Sequence, residues 1–172
     1  MKRWLVGVLV LAVAYAAASP LLTVYYMKSA AEARDGEALS EYVDFPAVRQ
    51  DLKDQLNVKL GREMAKEADD NALAVLGGML AGVMVNKMVD TFVTPTALIE
   101  LMKGEVPKAS GGGRKESEAT RKRPFGNASF RYEAWDRFSV IVPNRKGEET
   151  RFTLRRRGIG WKLAGIKLPM GD

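Results

Sequence analysis

The stretch "EYVDFPAVRQDL", residues 41–52, reads as a helix that stops and at once restarts. Phe45 precedes a proline, and the proline ring disfavours the α conformation at the residue before it. Pro46 has no N–H to donate, which costs nothing in the first turn of a helix. Asp44 can accept a hydrogen bond from a first-turn N–H, and its charge suits that end of the helix dipole. Asp44, Phe45 and Pro46 are therefore expected to form a structural corner, with Phe45 free to plug the core. Beyond it, Val48, Leu52, Leu56 and Leu60 recur every four residues, which predicts a helix with an apolar stripe. Arg49, Asp51, Lys53 and Asp54 fall on its expected solvent side.

The neighbouring segments obey the same grammar. Residues 34–36, "RDG", end a preceding helix, and Asp35 is placed to cap the short helix "GEALSEYV", burying Ala38, Leu39, Tyr42 and Val43. In "DTFVTPTALIELMKGE", residues 90–105, Thr94 caps, Pro95 opens, Ala97, Leu98, Leu101 and Met102 pack, and Gly104 stops the helix. Between these lies "NALAVLGGMLAGVMVNKMV", residues 71–89. Its charge-free part, residues 72–85, is too short to cross a bilayer comfortably. All-round apolarity predicts a helix buried on most sides, against a sheet or the floor of a pocket. Gly77, Gly78 and Gly82 weaken that helix, and Gly78 and Gly82, one turn apart, admit another backbone. Met79, Met84 and Met88 are expected in the core, with a soft cavity lining as the functional alternative.

The first 28 residues, "MKRWLVGVLVLAVAYAAASPLLTVYYMK", carry Lys2 and Arg3 and then no charge until Lys28. Residues 4–22 are about long enough, at about 1.5 Å per residue, to span a bilayer. The positive-inside bias keeps Lys2 and Arg3 cytoplasmic and sends the rest out. Ala16, Ala17 and Ala18 also offer a small-residue cleavage site, so a removed signal peptide stands as the alternative to a single-pass anchor. The expected location is the inner membrane with a periplasmic C-terminal domain, or the periplasm itself after cleavage.

The C-terminal third alternates as strands do. Phe130 and Tyr132, then Phe138, Val140 and Val142, then Phe152 and Leu154, are predicted to face inward. In "GWKLAGIKLP", residues 160–169, Trp161 and Leu163 share one parity and Ile166 and Leu168 the other. That slip predicts a bulge at Gly165. Turns fall near residues 143–147 and 158–160. The expected fold class is α+β: an N-terminal transmembrane or signal helix, several helices, then a four-stranded curved antiparallel sheet. By segment, residues 1–26 form the anchor or signal and 27–172 a single α+β domain. Within it, 27–106 are helical, 107–124 are a flexible basic loop and 125–172 are the sheet.

Composition restricts the chemistry. The chain has no cysteine and no histidine among its 172 residues. There is no disulfide, no thiol nucleophile, no imidazole base and no thiolate or imidazole zinc ligand. Acid–base work would fall to Asp, Glu, Lys or Tyr. Charge is unevenly spread: residues 29–103 carry eight basic against thirteen acidic side chains, and residues 131–167 ten against four. The basic loop "KASGGGRKESEATRKRPFG" lacks the spaced glycine and the Lys-Ser/Thr pair of a P-loop. Its Arg114, Lys115, Arg121, Lys122 and Arg123 read as solvated or phosphate-contacting.

"AAEARDGEALSEYVDFPAVRQDLKDQL", residues 30–56, and "VDTFVTPTAL", residues 89–98, resemble the bacterial domain-of-unknown-function family 2939. Its members share a hydrophobic N-terminus, a "VDFP-x-(V/L)-R" corner and a "TP" helix start. The resemblance implies a membrane-anchored protein and brings no activity with it. The order of helices before a sheet ending in "GWKL" is also similar to NTF2-like and cystatin-like cones. Enzymes of that architecture hold acids or histidines inside the cone. Here only Tyr42, Asp44 and Asp136 offer themselves.

The expectation is a non-enzymatic envelope protein that needs no cofactor and binds a small apolar ligand, a peptide or a partner protein. One alternative is a hydratase- or isomerase-like enzyme with a pocket carboxylate. The other is a basic face, Arg151, Arg155, Arg156 and Arg157, docking on anionic lipid. Export would separate the chain from nucleic acid.

Overall fold

The computed structural model describes residues 2–67, 72–103, 124–125, 127–143 and 147–169. Helix α1 runs over Lys2–Glu32, α2 over Gly36–Glu41, α3 over Phe45–Glu67, α4 over Ala72–Phe92 and α5 over Pro95–Met102. Strands β1 (Ser129–Ala134), β2 (Arg137–Pro143), β3 (Glu149–Arg157) and β4 (Gly160–Lys167) follow, as an antiparallel meander in the order β1-β2-β3-β4. The α+β architecture read from the sequence is the architecture observed. The basic loop, Arg114 to Arg123 among its residues, and the expected stop at Gly104 lie outside the described residues.

The stop of α1 and the starts of α2 and α5 each have a chemical cause. Helix α1 ends with Arg34 at φ 57°. The N–H of Asp35 reaches back to Ala30 O at 2.9 Å and that of Arg34 to Ala31 O at 3.3 Å. These two bonds make a Schellman stop built on arginine instead of the usual glycine. Asp35 then caps α2, accepting from the N–H groups of Glu37 at 3.1 Å and Ala38 at 2.9 Å. Thr94 caps α5 through Ala97 N at 3.3 Å, with Pro95 in the first turn. The two devices touch: a Cβ on Gly36 would lie 3.1 Å from the Cβ of Pro95.

The interior forms between the helices and one face of the sheet. Met27, Leu39, Val48, Leu98 and Met102 from the helices meet Val140, Phe152, Leu154, Leu163 and Ile166 from the strands, all fully buried. Burial of each such side chain contributes roughly 1.5–3 kcal/mol. The predicted inward parity holds, and so does the bulge. Thr153 pairs with Gly165 but Leu154 pairs with Leu163, so Ala164 is the extra residue. Phe130 and Tyr132 share the inner face with Phe138 yet stay 49% and 44% exposed.

Three expectations are corrected. Helix α4 packs on α3, and its Leu80, Val83, Met84, Met88 and Phe92 are exposed, so it is an outer helix and not a central one. Met84 and Met88 therefore line no core. Of the three glycines on α4, Gly78 meets Met64 of α3 and Gly82 faces Asn57, while a Cβ on Gly77 would have open space. Phe45 is already helical, and half-buried under the Arg49 guanidinium, 5.8 Å from its ring centroid, in place of a full core plug. Arg49 and Asp51 do not face open water. Arg49 Nη2 donates to Val93 O at 3.2 Å, and Asp51 is turned onto β4.

Candidate functional site

The first notable site is inside α1. Pro20 cannot donate to Ala16 O, the carbonyl one turn back. The hydroxyl of Ser19 donates to that oxygen instead, at 2.8 Å. The same hydroxyl accepts the indole N–H of Trp161 on β4, at 2.8 Å in buried surroundings. Next to it, the Tyr132 hydroxyl of β1 donates to Ala17 O. Burial raises the Tyr132 pKa above the usual tyrosine value, only partly countered by the charge of Arg156. The sheet thus grips the helix at Ala17 and Ser19.

This grip divides α1 in two. Before it, Trp4, Val6, Val8, Leu9, Val10, Leu11 and Tyr15 are exposed; after it, Ser19, Pro20, Thr23, Val24, Met27, Ala30 and Ala31 are buried. Residues 6–32 are long and apolar enough to cross a bilayer, with mean hydropathy 2.0 in their most apolar window. A continuous helix passes from exposed apolar surface into the domain core without a linker.

The second site answers why the chain turns at Asp44. Strand β4 is a sheet edge, and the corner covers it. Leu163 N donates to Tyr42 O at 2.9 Å and Asp44 N to Leu163 O at 2.8 Å. Val43 forms a parallel bridge with Leu163. Further along, Asp51 Oδ2 accepts from Ile166 N at 3.0 Å and Gln55 Nε2 donates to Ile166 O at 3.0 Å. Backbone and then side chains continue the ladder, so an exposed edge becomes a satisfied one. The corner residues Asp44, Phe45 and Pro46 thus act structurally. Asp44 also caps α3 through Ala47 N at 3.2 Å.

The electrostatics of the two carboxylates differ. Burial pushes the Asp44 pKa up, but the hydrogen bonds from Arg157 and Ala47 and the nearby Arg157 and Lys162 charges outweigh it, and the net shift is downward. Burial is also the largest effect on Asp51, and there it wins over the hydrogen bonds from Ile166 and Gln55, so the pKa is raised. Asp51 faces the Ile166 N–H and Gly165. A Cβ on Gly165 would lie 2.8 Å from Asp51 Oδ2.

The structure separates the arginines that the sequence grouped. Arg151 bonds Glu133 at 3.0 Å, and Glu133 also accepts from Ser139 at 2.7 Å. Arg157 donates to Asp44 Oδ2 through Nε at 3.1 Å and Nη2 at 2.8 Å. Arg156 lies on the inner parity, 5.5 Å from the Trp161 ring centroid, with its buried Nε lacking a partner. Arg155 is exposed and sits opposite Arg137 across β2 and β3.

Each member of the thin catalytic set has a partner in the fold. Tyr42 stacks on Tyr26 at 5.8 Å, Asp44 is held by Arg157, and Asp136 uses its carbonyl to accept from Arg156 N at 3.0 Å. At the opposite end of the sheet a cleft of about 270 Å³ is lined by Glu149, Arg151, Lys167, Leu168 and Pro169. No group of three potential metal-ligating side chains occurs among the described residues.

A family model described as a protein of unknown function, DUF2939, matches residues 9–101, more than half of the chain. No curated protein and no solved structure matches. The likeness to NTF2-like and cystatin-like cones accordingly rests on element order alone.

Proposed function

Since the chain belongs to the DUF2939 family, whose description carries no activity, we propose from its own geometry that it is a non-enzymatic, membrane-anchored envelope domain. It stands directly on the outer face of the inner membrane and presents its surface to a partner protein. The observation that carries this reading is the division of α1: Trp4, Val6, Val8, Leu9, Val10, Leu11 and Tyr15 are exposed, whereas from Ser19 onward one face of the helix, Ser19, Thr23, Val24, Met27, Ala30 and Ala31, is built into the core. A helix with that division serves as anchor and core element at once.

The same observation favours anchor over cleaved signal. Ala17 O accepts from Tyr132 of the sheet, and Ala16 O accepts from the Ser19 hydroxyl that in turn holds Trp161. Cutting after the alanines would remove both acceptors and leave Ser19 as a charged N-terminus beside Trp161. A partner protein is favoured over a small ligand by two features. The space between helices and sheet is occupied by fully buried side chains, and α4 offers an exposed apolar ridge of Leu80, Val83, Met84, Met88 and Phe92. Ridges of that kind mark interaction surfaces. The enzyme alternative asks for a raised-pKa carboxylate facing a cavity beside a tyrosine. Asp44 is lowered, and the raised Asp51 serves the sheet edge.

The test is photo-crosslinking from position 84 in the full chain, expressed in its membrane. A discrete adduct with another envelope protein is the expected result. Turnover of a substrate by the purified chain, abolished by Asp51→Asn or Asp44→Asn, would overturn the non-enzymatic reading.

A further inference from the structure

Strand β1 is the open edge of the sheet. At the opposite edge, the outward N–H and C=O of Leu163 on β4 are taken by Tyr42 and Asp44. Among the described residues nothing comparable covers β1. Its one strand neighbour is β2, and residues 129–133 are all exposed.

The ladder fixes which backbone groups are left over. Arg156 N donates to Asp136 O at 3.0 Å, just before β2 begins. Bonded and non-bonded pairs alternate along an antiparallel ladder. Phe138 therefore bonds its β3 partner Leu154, while Ser139 and Ile141 turn the other way, onto Arg131 and Ser129 of β1. Phe130 and Tyr132 then point their N–H and C=O groups away from the sheet. The side chains of these two residues lie on the inner face against Phe138, with nearly half of their surface uncovered. Between them, on the outer face, Arg131 is exposed and has no ion pair among the described residues, whereas the next carboxylate, Glu133, is held by Arg151.

An unpaired edge is a template for strand addition, in which main-chain bonds hold the incoming segment and alternate side chains select it. We infer that β1 pairs antiparallel with an extended segment of another polypeptide, one with an acidic residue opposite Arg131 and apolar residues opposite Phe130 and Tyr132. The backbone bonds form at Phe130 and Tyr132. The pair at Arg131 is the non-bonded kind, in which side chains approach most closely, so charge selects there. A second copy fits worse. Opposed residues share a face, and the two best-overlapped registers of β1 on itself are centred on Arg131 and on Tyr132. The first sets Arg131 against the second copy's Arg131, which is destabilising. The second matches Arg131 with Glu133 but places Ala134, already paired with Arg137 of β2, opposite Phe130, and the bonds there are lost.

This edge is separate from the exposed ridge of α4, so a failed crosslink at position 84 leaves it untouched. The test uses the full chain in detergent micelles and the synthetic peptide acetyl-TVEVT-amide, whose glutamate is set opposite Arg131. In the chain alone, the amides of Phe130 and Tyr132 should exchange hydrogen fast and that of Arg131 slowly. Peptide at about 1 mM should slow Phe130 and Tyr132 several-fold or more. The same peptide with both valines N-methylated lacks the donors and should bind about tenfold more weakly. Arg131→Glu should reverse the preference between TVEVT and TVKVT, by about threefold in each direction. Unchanged exchange with peptide, or equal binding of the N-methylated form, overturns strand addition. An unreversed preference overturns the acidic partner. Slow exchange of both amides in the chain alone overturns the open edge, and a slowing that grows with protein concentration assigns that edge to a second copy instead.

Discussion

The indole N–H of Trp161 and the hydroxyl of Ser19 meet at 2.8 Å, and through them a sheet strand is locked to a helix whose N-terminal part is exposed and apolar. Ser19 is both donor and acceptor there, because Pro20 leaves Ala16 O unserved. Removing the hydroxyl leaves a buried indole N–H and a helix carbonyl without partners. Ser19→Ala should therefore destabilise the domain by about 2 kcal/mol, read as a lower urea midpoint in detergent. Ser19→Thr, which keeps the hydroxyl, should recover most of that loss.

The edge cap predicts a steric effect at Gly165. A Cβ there would sit 2.8 Å from Asp51 Oδ2 and 3.1 Å from its Cγ. Asp51 is anchored by Ile166 N and Gln55, so it cannot simply swing aside. Gly165→Ala should cost about 1–3 kcal/mol. Hydrogen exchange at the Ile166 amide should rise with it. The double variant Gly165→Ala with Asp51→Ala should relieve the overlap, so its loss should be smaller than the sum of the two single losses.

The two carboxylates predict pH effects of opposite sign. Asp44 has a lowered folded pKa, so its contribution is full above the unfolded value near 3.8 and is lost as pH falls below it. Asp51 has a raised folded pKa, so protonation favours the folded state, and stability drops as pH rises from the unfolded value through the raised one. Asp44→Asn should flatten the acid limb of the stability curve below about pH 4. Asp51→Asn should remove the opposing slope just above it. Unfolding midpoints measured across pH 2–7 (a range chosen to bracket the carboxylate values) separate the two.

The α5 cap is a plainer case. Thr94 supplies one of the hydrogen bonds that the first turn lacks, and Thr94→Ala should cost about 1 kcal/mol. Thr94→Ser should be nearly neutral. Thermal unfolding of the two variants checks the difference.

Much of this fold was legible because its punctuation is local. Asp35, Asp44, Thr94 and Pro95 act on neighbours within three residues, and strand alternation with its slip at Gly165 is a short-range pattern. What could not be read is what depends on distant partners. Asp51 looks solvent-facing on a helical wheel because the wheel does not know that a strand edge lies beside it. Helix α4 looks central because apolarity does not say whether the covering surface is in the same chain. The arginine run at 155–157 looks like one patch, yet alternation turns Arg156 inward onto Trp161 and Asp44 captures Arg157. For the grip on α1 a signal was present: a serine before a proline inside an apolar helix marks a carbonyl in need of a donor.

The central claim is that α1 remains attached and holds the domain outside the cytoplasmic membrane. The most direct measurement places a cysteine at Lys167 in the full chain and treats intact cells with a membrane-impermeant maleimide, then determines the mass of the labelled product. The account predicts labelling in intact cells, on a full-length chain that stays in the membrane pellet after alkaline extraction. Labelling only after lysis, or a soluble product beginning at Ser19, would contradict it.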